Sequence, residues 1–276
     1  MSDVTAQDTK ALSQDELLLR LIRLLCAEDE RYAELEIPTS LDERRNLLRA
    51  LLNVRPPRPA AAQLIQLQDS YLQERLTERG VVDALQLPLL SQSIALWQGD
   101  ITRLRVGAIV NAANEQMLGC FSPLHNCIDN CIHTYAGLQL RLECSRLMQK
   151  LRAKFGSQYV MPTAAPLLTP GYNLPASWII HITGPIVLGA LTPHYEAQLI
   201  ECYRNILSLC SARRILSVAI CCISTGVFHF PPQQAAQLAV ATVQQYLREH
   251  QEMPLRVIFN VFSHEDYRRY AQLLES

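Results

Sequence analysis

The sequence has no excess of charge of either sign and no long apolar segment, and both absences narrow what the protein can be. Its 25 Lys and Arg residues nearly balance its 26 Asp and Glu residues, which gives a formal net charge of −1 at pH 7. A chain this balanced lacks the basic character of a nucleic-acid-binding protein. The most apolar stretch, residues 178–191, contains His181 and Pro185 and is too short to cross a bilayer. We therefore expect neither nucleic acid nor a membrane as a partner.

A secretory leader and a disulfide framework are not indicated either. The first ten residues are polar and lack an apolar core segment, so we expect a cytoplasmic protein. Nine cysteines are an odd number, and a chain of 276 residues is not a small disulfide-stapled domain, so free thiols or a metal site are expected. Six cysteines fall in predicted helices or strands and are expected to be small apolar filler: Cys26, Cys144, Cys202, Cys210, Cys221 and Cys222.

The order of helical and strand-like segments predicts two regions. Residues 1–92 show apolar residues at helical spacing after two S-x-x-E capping patterns, and a further helix is expected to end at Gly80. This region is either a helical cap on the rest of the chain or a surface that docks a partner. In the following residues, 93–276, strands are expected over 108–110, 177–182, 216–223 and 256–262, and helices over 128–150, 195–212 and 233–248. Such alternation predicts an α/β fold with a mostly parallel sheet covered on both faces.

Ligands of such folds bind in loops at the carboxyl ends of the strands, and three of these loops carry polar or glycine-containing segments. Asp100 ends a strand and either accepts hydrogen bonds from a ligand or caps a turn. Asn111 and Asn114 follow another strand, and their amides either tie down a loop or bind a polar ligand. The loop at 223–231 contains Gly226 and can offer backbone N–H groups to a phosphate. It has neither the Walker nor the Rossmann glycine pattern, so it is a weak signal alone.

The most informative loop carries Cys120, His125 and Cys127 in the spacing C-x4-H-x-C. Thiolate and imidazole are ligands that zinc prefers, and a Cys2His set leaves the fourth tetrahedral position open, as in catalytic sites. Cys131 is one helical turn further on and could instead close the site and make the zinc structural. The alternative is three buried residues that hold no metal, since the spacing is not a standard finger pattern. Asp129 either interacts with the helix dipole or orients a water or hydroxyl beside the metal.

Several segments resemble the ADP-ribose-binding macrodomain family, in the family's order. They are G-D-I-T at 99–102, A-I-V-N-A-A-N at 108–114, I-H-I-T-G-P at 180–185 and I-S-T-G-V-F at 223–228. Residues 119–130 stand where most hydrolytic macrodomains have a run of glycines. Together with N-V-R-P-P at 53–57, they are similar to the zinc-containing macrodomains of bacteria and fungi, which hydrolyse mono-ADP-ribosyl-protein. Three positions depart from the family. Gly107 replaces the acidic residue that commonly precedes A-I-V, and A-A-P at 164–166 stands where the family has a glycine and a basic residue. His229 stands where a glycine commonly follows the aromatic residue.

The resemblance implies a fold and a division of the chain. The fold is a three-layer α/β/α macrodomain with a mixed, mostly parallel sheet over residues 93–276, and a helical N-terminal extension occupies residues 1–92. The implied activity is zinc-dependent removal of mono-ADP-ribose from modified protein side chains. Two alternatives stay open: a non-catalytic reader of ADP-ribosylated proteins, and a deacetylase of the small ester O-acetyl-ADP-ribose.

The resemblance also implies a role for each site residue. Zn²⁺ is expected on Cys120, His125 and Cys127, and Asp129 and Asn114 are expected to be catalytic. Asp100 is expected to bind the adenine amine, residues 224–227 the pyrophosphate, and Asn114 and Phe228 the distal ribose. The full expected ADP-ribose set is Asp100, Ile101, Asn114, Cys127, Ile128, Asp129, Ser224, Thr225, Gly226, Val227 and Phe228.

The partners follow from the same resemblance. Bacterial members of the zinc-containing subfamily are associated with a sirtuin-type ADP-ribosyltransferase and with a lipoyl-carrier substrate protein. We therefore expect a mono-ADP-ribosylated protein as substrate and ADP-ribose as product.

Overall fold

The computed structural model describes residues 12–91 and 93–275, which form two compact units. The first unit runs to Gly80 and also contains Leu118–Leu147 and Tyr172–Leu174. The second contains Val81–Met117, Met148–Gly171 and the chain from Pro175 onward. The division into domains 1–92 and 93–276 stays a prediction, because a compact unit need not be a domain that folds on its own.

Three N-terminal helices build the core of the first unit. Helix α1 spans Gln14–Ala27, α2 spans Leu41–Val54 and α3 spans Ala62–Arg79. The predicted capping box forms at the start of α1, whereas Ser40 occupies the N-cap position of α2 without a side-chain hydrogen bond. The apolar faces of the helices bury a cluster made mainly of leucines, including Leu17, Leu18, Leu21, Leu48, Leu51, Leu52, Leu64, Leu67 and Leu72.

Two more helices follow where the sequence predicts one over 128–150. Helix α4 spans Ile128–Ala136 and packs on α2, and α5 spans Leu138–Phe155, with its last residues in the second unit. The prediction of a single helix is wrong, because Gly137 has a φ of +95° and interrupts it. This conformation favours glycine, and a side chain there would also meet Gln68.

The second unit contains a seven-stranded mixed sheet flanked by helices, as the α/β prediction requires. In spatial order the strands are β2 (Leu89–Ser91), β3 (Ile94–Gln98), β9 (Arg256–Val261), β8 (Ser217–Ile220), β5 (Ala108–Ala112), β7 (Trp178–Ile182) and β6 (Pro166–Pro170). The five central strands are parallel, and the outer two are antiparallel to their neighbours. A separate parallel pair joins β1 (Val82–Asp83) to β4 (Leu104–Arg105).

Three helices accompany this sheet. Helix α6 spans Pro193–Ala212 and packs on α7, which spans Pro232–Glu249. Helix α8 spans His264–Glu275 and packs on α7 and on strands β3 and β9. No helix in residues 12–91 and 93–275 is both long and apolar enough to span a membrane.

Several candidate residues lie just beyond the carboxyl ends of the parallel strands of the second unit. Asp100 follows β3, Asn114 follows β5, and residues 183–184 follow β7. Residues 223–229 follow β8. Parallel strands end at the same edge of a sheet, which is where open α/β sheets bind their ligands.

Candidate functional site

The structure brings Cys120, His125 and Cys127 together in the first unit. Their ligand atoms lie within 4.8 Å of one another, and Cys120 Sγ is 3.6 Å from His125 Nδ1. All three residues are half-buried. Two thiols and one imidazole suit a tetrahedral metal site with one position left for another ligand. The three predicted ligands are therefore brought together in a group that could hold a metal ion.

Cys131 does not belong to this group. Among the described residues, the ligand atoms that converge here come from the other three side chains. Cys131 lies on α4, where its Sγ accepts a hydrogen bond from Arg49 Nη2 at 3.6 Å. Three ligands leave an open position, which is the arrangement of catalytic rather than structural zinc sites.

Cys127 stands at the N-cap position of α4, where its thiol accepts a hydrogen bond from the Asn130 backbone N–H at 3.4 Å. Burial raises the pKa of the Cys127 thiol to about 12, and the neighbouring Cys120 and Asp129 act in the same direction. Metal ligation requires the thiolate, and a cation stabilises that form. A cation bound at this site would therefore stabilise the thiolate form of Cys127.

Asp129 is buried in the first turn of α4, with 5% of its surface exposed. Its Oδ1 lies 3.6 Å from Nε2 of His133, which is buried one helical turn later. The imidazole of His133 packs closely against Gly119, whose φ is +80°, and a Cβ there would lie 2.7 Å from the ring. Glycine is therefore required directly before Cys120. Both predicted roles of Asp129, the helix-dipole partner and the residue that orients a nucleophile, are compatible with this position.

Arg141 bonds the segment just before Cys120, and sequence reasoning missed it. It lies on α5 with 5% of its surface exposed, and its Nε donates to the Leu118 carbonyl at 2.8 Å. Its Nη1 donates to three carbonyl oxygens at the end of α2, those of Leu52, Asn53 and Arg55. Burial lowers the pKa of Arg141 to about 10. These partners lie up to 89 residues away in sequence, so no local signal could have identified them.

Asp100 adopts the role of a helix cap in the second unit. Its Oδ1 accepts hydrogen bonds from the backbone N–H of Thr102 at 3.0 Å and from the hydroxyl of Thr102 at 2.7 Å. These bonds cap the 3-10 helix Ile101–Arg103. The cap fixes the carboxylate at the carboxyl end of β3, and its predicted contact with adenine stays a prediction.

Asn111 and Asn114 differ in position and in contacts, and the expectation that both follow the strand is wrong for Asn111, which lies within β5. Asn111 is fully buried, and its Nδ2 lies 3.0 Å from Nδ1 of His181. The other ring nitrogen of His181 lies 2.9 Å from the hydroxyl of Thr169. Burial lowers the pKa of His181 to about 3, so this histidine is a neutral structural group. Asn114 is half-buried, and its Oδ1 accepts from the Gln116 N–H at 3.0 Å. The amide of Asn114 therefore ties its own loop, whereas that of Asn111 contacts the neighbouring strand β7.

The loop at 223–229 is held by its own backbone. The Phe230 N–H donates to the Ser224 carbonyl and the His229 N–H donates to the Gly226 carbonyl, each at 3.0 Å. Ser224 has a φ of +66° and His229 a φ of +57°. This left-handed conformation favours glycine, which explains the glycine common in the family at the position of His229.

Two features of this loop suit an anionic ligand. Gly226 and Val227 are exposed at its tip, whereas Ser224 is buried. The hydroxyl of Ser224 has no hydrogen-bond partner among the described residues, and buried hydroxyls are rarely left so. A Cβ at Gly184 would collide with that hydroxyl, so glycine is required there.

Comparisons with known proteins place these observations in a family. The Macro domain family matches residues 110–239. A protein-ADP-ribose hydrolase of Treponema medium is 41% identical over 267 residues, which cover 95% of this chain and 100% of that protein. A probable bifunctional ADP-ribose hydrolase/ADP-ribosyltransferase of Fusarium oxysporum f. sp. cubense is 40% identical over 255 residues, 83% of this chain and 40% of that protein.

A crystal structure of a Trypanosoma brucei macrodomain in complex with ADP-ribose has a TM-score of 0.61 and 27% sequence identity. The match covers 81% of this chain and 94% of that one. The fold predicted from the sequence is confirmed. The chain belongs to the macrodomain family, together with proteins that are named protein-ADP-ribose hydrolases.

Proposed function

We propose that the protein is a zinc-dependent hydrolase that removes mono-ADP-ribose from modified protein side chains. The observation that carries this proposal is the group of Cys120, His125 and Cys127, with ligand atoms within 4.8 Å of one another and Asp129 two residues further on. A module that only binds ADP-ribosylated proteins does not need such a group. The name of the Treponema relative, which is similar over its whole length, supports the same activity.

The nucleotide part of ADP-ribose is assigned to the loops that follow strands β3 and β8. Asp100 accepts a hydrogen bond from the adenine amine, assisted by the backbone of Ile101. Residues 224–227 surround the pyrophosphate with backbone N–H groups. The buried, unpartnered hydroxyl of Ser224 supports this assignment, because a phosphate oxygen would give it a partner. Phe228 and Asn114 contact the distal ribose.

The loop that carries Cys127 and the start of α4 are assigned to the reacting end of the ligand. Cys127, Ile128 and Asp129 contact the distal ribose, and zinc bound by the two cysteines and His125 would supply a Lewis acid that lowers the pKa of water towards about 7. Asp129 orients the attacking water or a ribose hydroxyl, and its burial keeps the carboxylate in one place. Asn114 assists by holding the ribose.

The bond that breaks joins the anomeric carbon of the distal ribose to the modified side chain, or belongs to an ester with a protein carboxylate. Water supplies a hydroxyl to the ADP-ribose, or to the ester carbonyl carbon, and a proton to the leaving group. Adenine and pyrophosphate bind away from this bond, so their binding energy positions the ribose for reaction.

The substrate and the partner system extend the proposal. We assign as substrate a mono-ADP-ribosylated lipoyl-carrier protein, modified by a sirtuin-type ADP-ribosyltransferase in the cytoplasm. The name of the Fusarium relative pairs a hydrolase with an ADP-ribosyltransferase in one protein, which supports this coupling of activities. ADP-ribose is the product.

The test separates binding from turnover. Cys127→Ala is expected to lose bound zinc and to slow release of ADP-ribose from a mono-ADP-ribosylated protein by about 100-fold or more, because the metal group is incomplete. Cys26→Ala, which changes a half-buried cysteine of α1, is the control and should behave as wild type. Elemental analysis reports the zinc, and O-acetyl-ADP-ribose assayed in parallel tests the esterase alternative. Normal turnover by Cys127→Ala contradicts the proposal, and binding without turnover by the wild type identifies a reader.

A further inference from the structure

We propose that Arg49 of α2 is a positioning residue for the metal site, and that its guanidinium holds His125 and the start of α4 in the arrangement that binds the metal. The proposal rests on the proposed function, because it concerns the same metal group. Arg49 lies in the N-terminal helices, a region to which the sequence assigns only a cap or a docking surface.

One guanidinium joins the two sides of the metal loop, which we define as residues 118–127. Arg49 Nη2 donates to the His125 backbone carbonyl at 2.9 Å, on the ligand residue itself. Arg49 Nε and Nη2 both donate to Asn130 Oδ1, at 3.0 and 2.7 Å. Asn130 is fully buried, and its Nδ2 donates to the Ser122 carbonyl at 3.0 Å. The guanidinium thus ties His125 to α4 and, through Asn130, to the middle of the loop.

The contact requires the shape of arginine. The acceptors of Arg49 are a backbone carbonyl, a carboxamide oxygen and the Cys131 sulfur, which belong to three different residues. A planar guanidinium presents several N–H groups in a fixed fork, whereas the ammonium of lysine is a single point donor. Lysine at this position would keep the charge and lose the simultaneous bonds.

A second residue of α2 supports the same part of the loop. Asn53 is buried, with 1% of its surface exposed, and its Oδ1 accepts from the Leu124 backbone N–H at 3.1 Å. Leu124 directly precedes His125 and has a φ of +57°, a conformation that costs energy for a side chain of this kind. The loop therefore holds an unfavourable backbone conformation directly before the proposed ligand His125. Asn53 bonds the backbone N–H of Leu124, and Arg49 bonds the backbone carbonyl of His125.

The test compares two arginines of one helix. Arg49→Lys is expected to weaken zinc binding by about 10- to 100-fold, measured by competition with a chelator, as for other residues that orient metal ligands. Cobalt bound in place of zinc should show altered thiolate-to-metal and d–d absorption bands. At saturating zinc, kcat should fall while KM for the modified protein stays within about twofold. Arg45→Lys is the control, because Arg45 lies one turn earlier on α2 and bonds Gln14 and Glu78 instead.

The outcomes distinguish the two proposals. If wild type binds neither zinc nor cobalt, the proposed function fails. If wild type binds both and Arg49→Lys binds them with the same affinity and the same cobalt spectrum, the role of Arg49 is overturned. Circular dichroism checks that the variant is folded, and if it is not, Arg49→Gln, which retains a planar N–H donor, replaces it with the same expected result.

Discussion

The metal loop, residues 118–127, and the phosphate loop, residues 223–229, are held in place by different parts of the protein. Side chains from α2 and α5 form hydrogen bonds with the backbone of the metal loop. Asn53 and its partner are 71 residues apart in sequence, and Arg49 and His125 are 76 apart. The phosphate loop is closed by backbone hydrogen bonds between its own residues and their immediate neighbours. It also receives a bond from the Val187 N–H to the Phe228 carbonyl at 2.9 Å.

Because of this difference, the two loops should respond to different substitutions. A change in α2 should disturb the metal loop and leave the phosphate loop intact, because the bonds of the phosphate loop lie within its own unit. A substitution that fills the space beside Ser224 should disturb the phosphate loop and leave the metal loop intact. Zinc affinity and ADP-ribose affinity are therefore separate readouts for the two loops.

The largest effect on ADP-ribose affinity is expected from Gly184→Ala. The added Cβ would collide with the Ser224 hydroxyl and with Cγ2 of Ile223, so the phosphate loop must shift. Overpacking of this kind costs about 1–3 kcal/mol, and we expect ADP-ribose affinity to fall about tenfold or more while zinc content stays that of wild type. Calorimetric titration with ADP-ribose and elemental analysis measure the two quantities.

Gly156→Ala is the matched control for that variant. Gly156 has a φ of +111°, but a Cβ there would have nothing within 4 Å among the described atoms. It should lose some stability through backbone strain and keep its ADP-ribose affinity. Unchanged ADP-ribose affinity in Gly184→Ala would contradict the close approach of Gly184 to Ser224.

Asn53→Ala tests the metal loop in the same way. The side chain bonds the Leu124 N–H at 3.1 Å and the Thr134 hydroxyl at 3.0 Å, and its loss leaves buried groups without these partners. We expect the free energy of unfolding to fall by about 1–3 kcal/mol, as measured by urea denaturation. Zinc affinity should fall with it, and ADP-ribose affinity should not.

Asn205→Ala provides the comparison. Asn205 donates one hydrogen bond, to the Ala164 carbonyl at 2.9 Å in the second unit. Its removal should lower stability without altering zinc affinity. If both variants change zinc affinity equally, the specific support of the metal loop by α2 is wrong.

A smaller effect is expected from pH, through the buried histidine of the second unit. His181 has a pKa lowered to about 3 in the folded protein, against an ordinary value of 6.5. As pH falls below about 6.5 the unfolded chain binds a proton that the folded chain does not, so stability is lost between about pH 6.5 and 3 and is unaffected above that range. The slope approaches about 1.4 kcal/mol per pH unit.

Denaturation at pH 7.0, 6.0 and 5.5 measures this slope. His181→Gln should have lower stability at pH 7 and a flatter pH dependence, whereas His264→Gln, which changes an exposed histidine, should follow wild type. Parallel curves for His181→Gln and wild type would mean that this histidine is not the titrating group.

The sequence predicted those parts of the molecule that depend on local pattern. Strands β7, β8 and β9 were predicted from mostly apolar runs, and most of their residues are buried. The spacing of Cys120, His125 and Cys127 predicted a group of possible metal ligands, and their ligand atoms do lie together. Strand β6 was missed because it begins and ends with proline, and α8 because most of its residues are polar. Arg49 and Arg141 could not be identified, since most of their hydrogen-bond acceptors lie far away in sequence.

The most direct test of the account measures zinc and turnover on one preparation of the full chain. Elemental analysis should find one zinc per chain, and removal of zinc by a chelator should slow release of ADP-ribose from a mono-ADP-ribosylated protein by about 100-fold or more. Added Zn²⁺ should restore the rate, since the fold retains Cys120, His125 and Cys127 in one place. Full turnover by the metal-depleted protein would contradict the account.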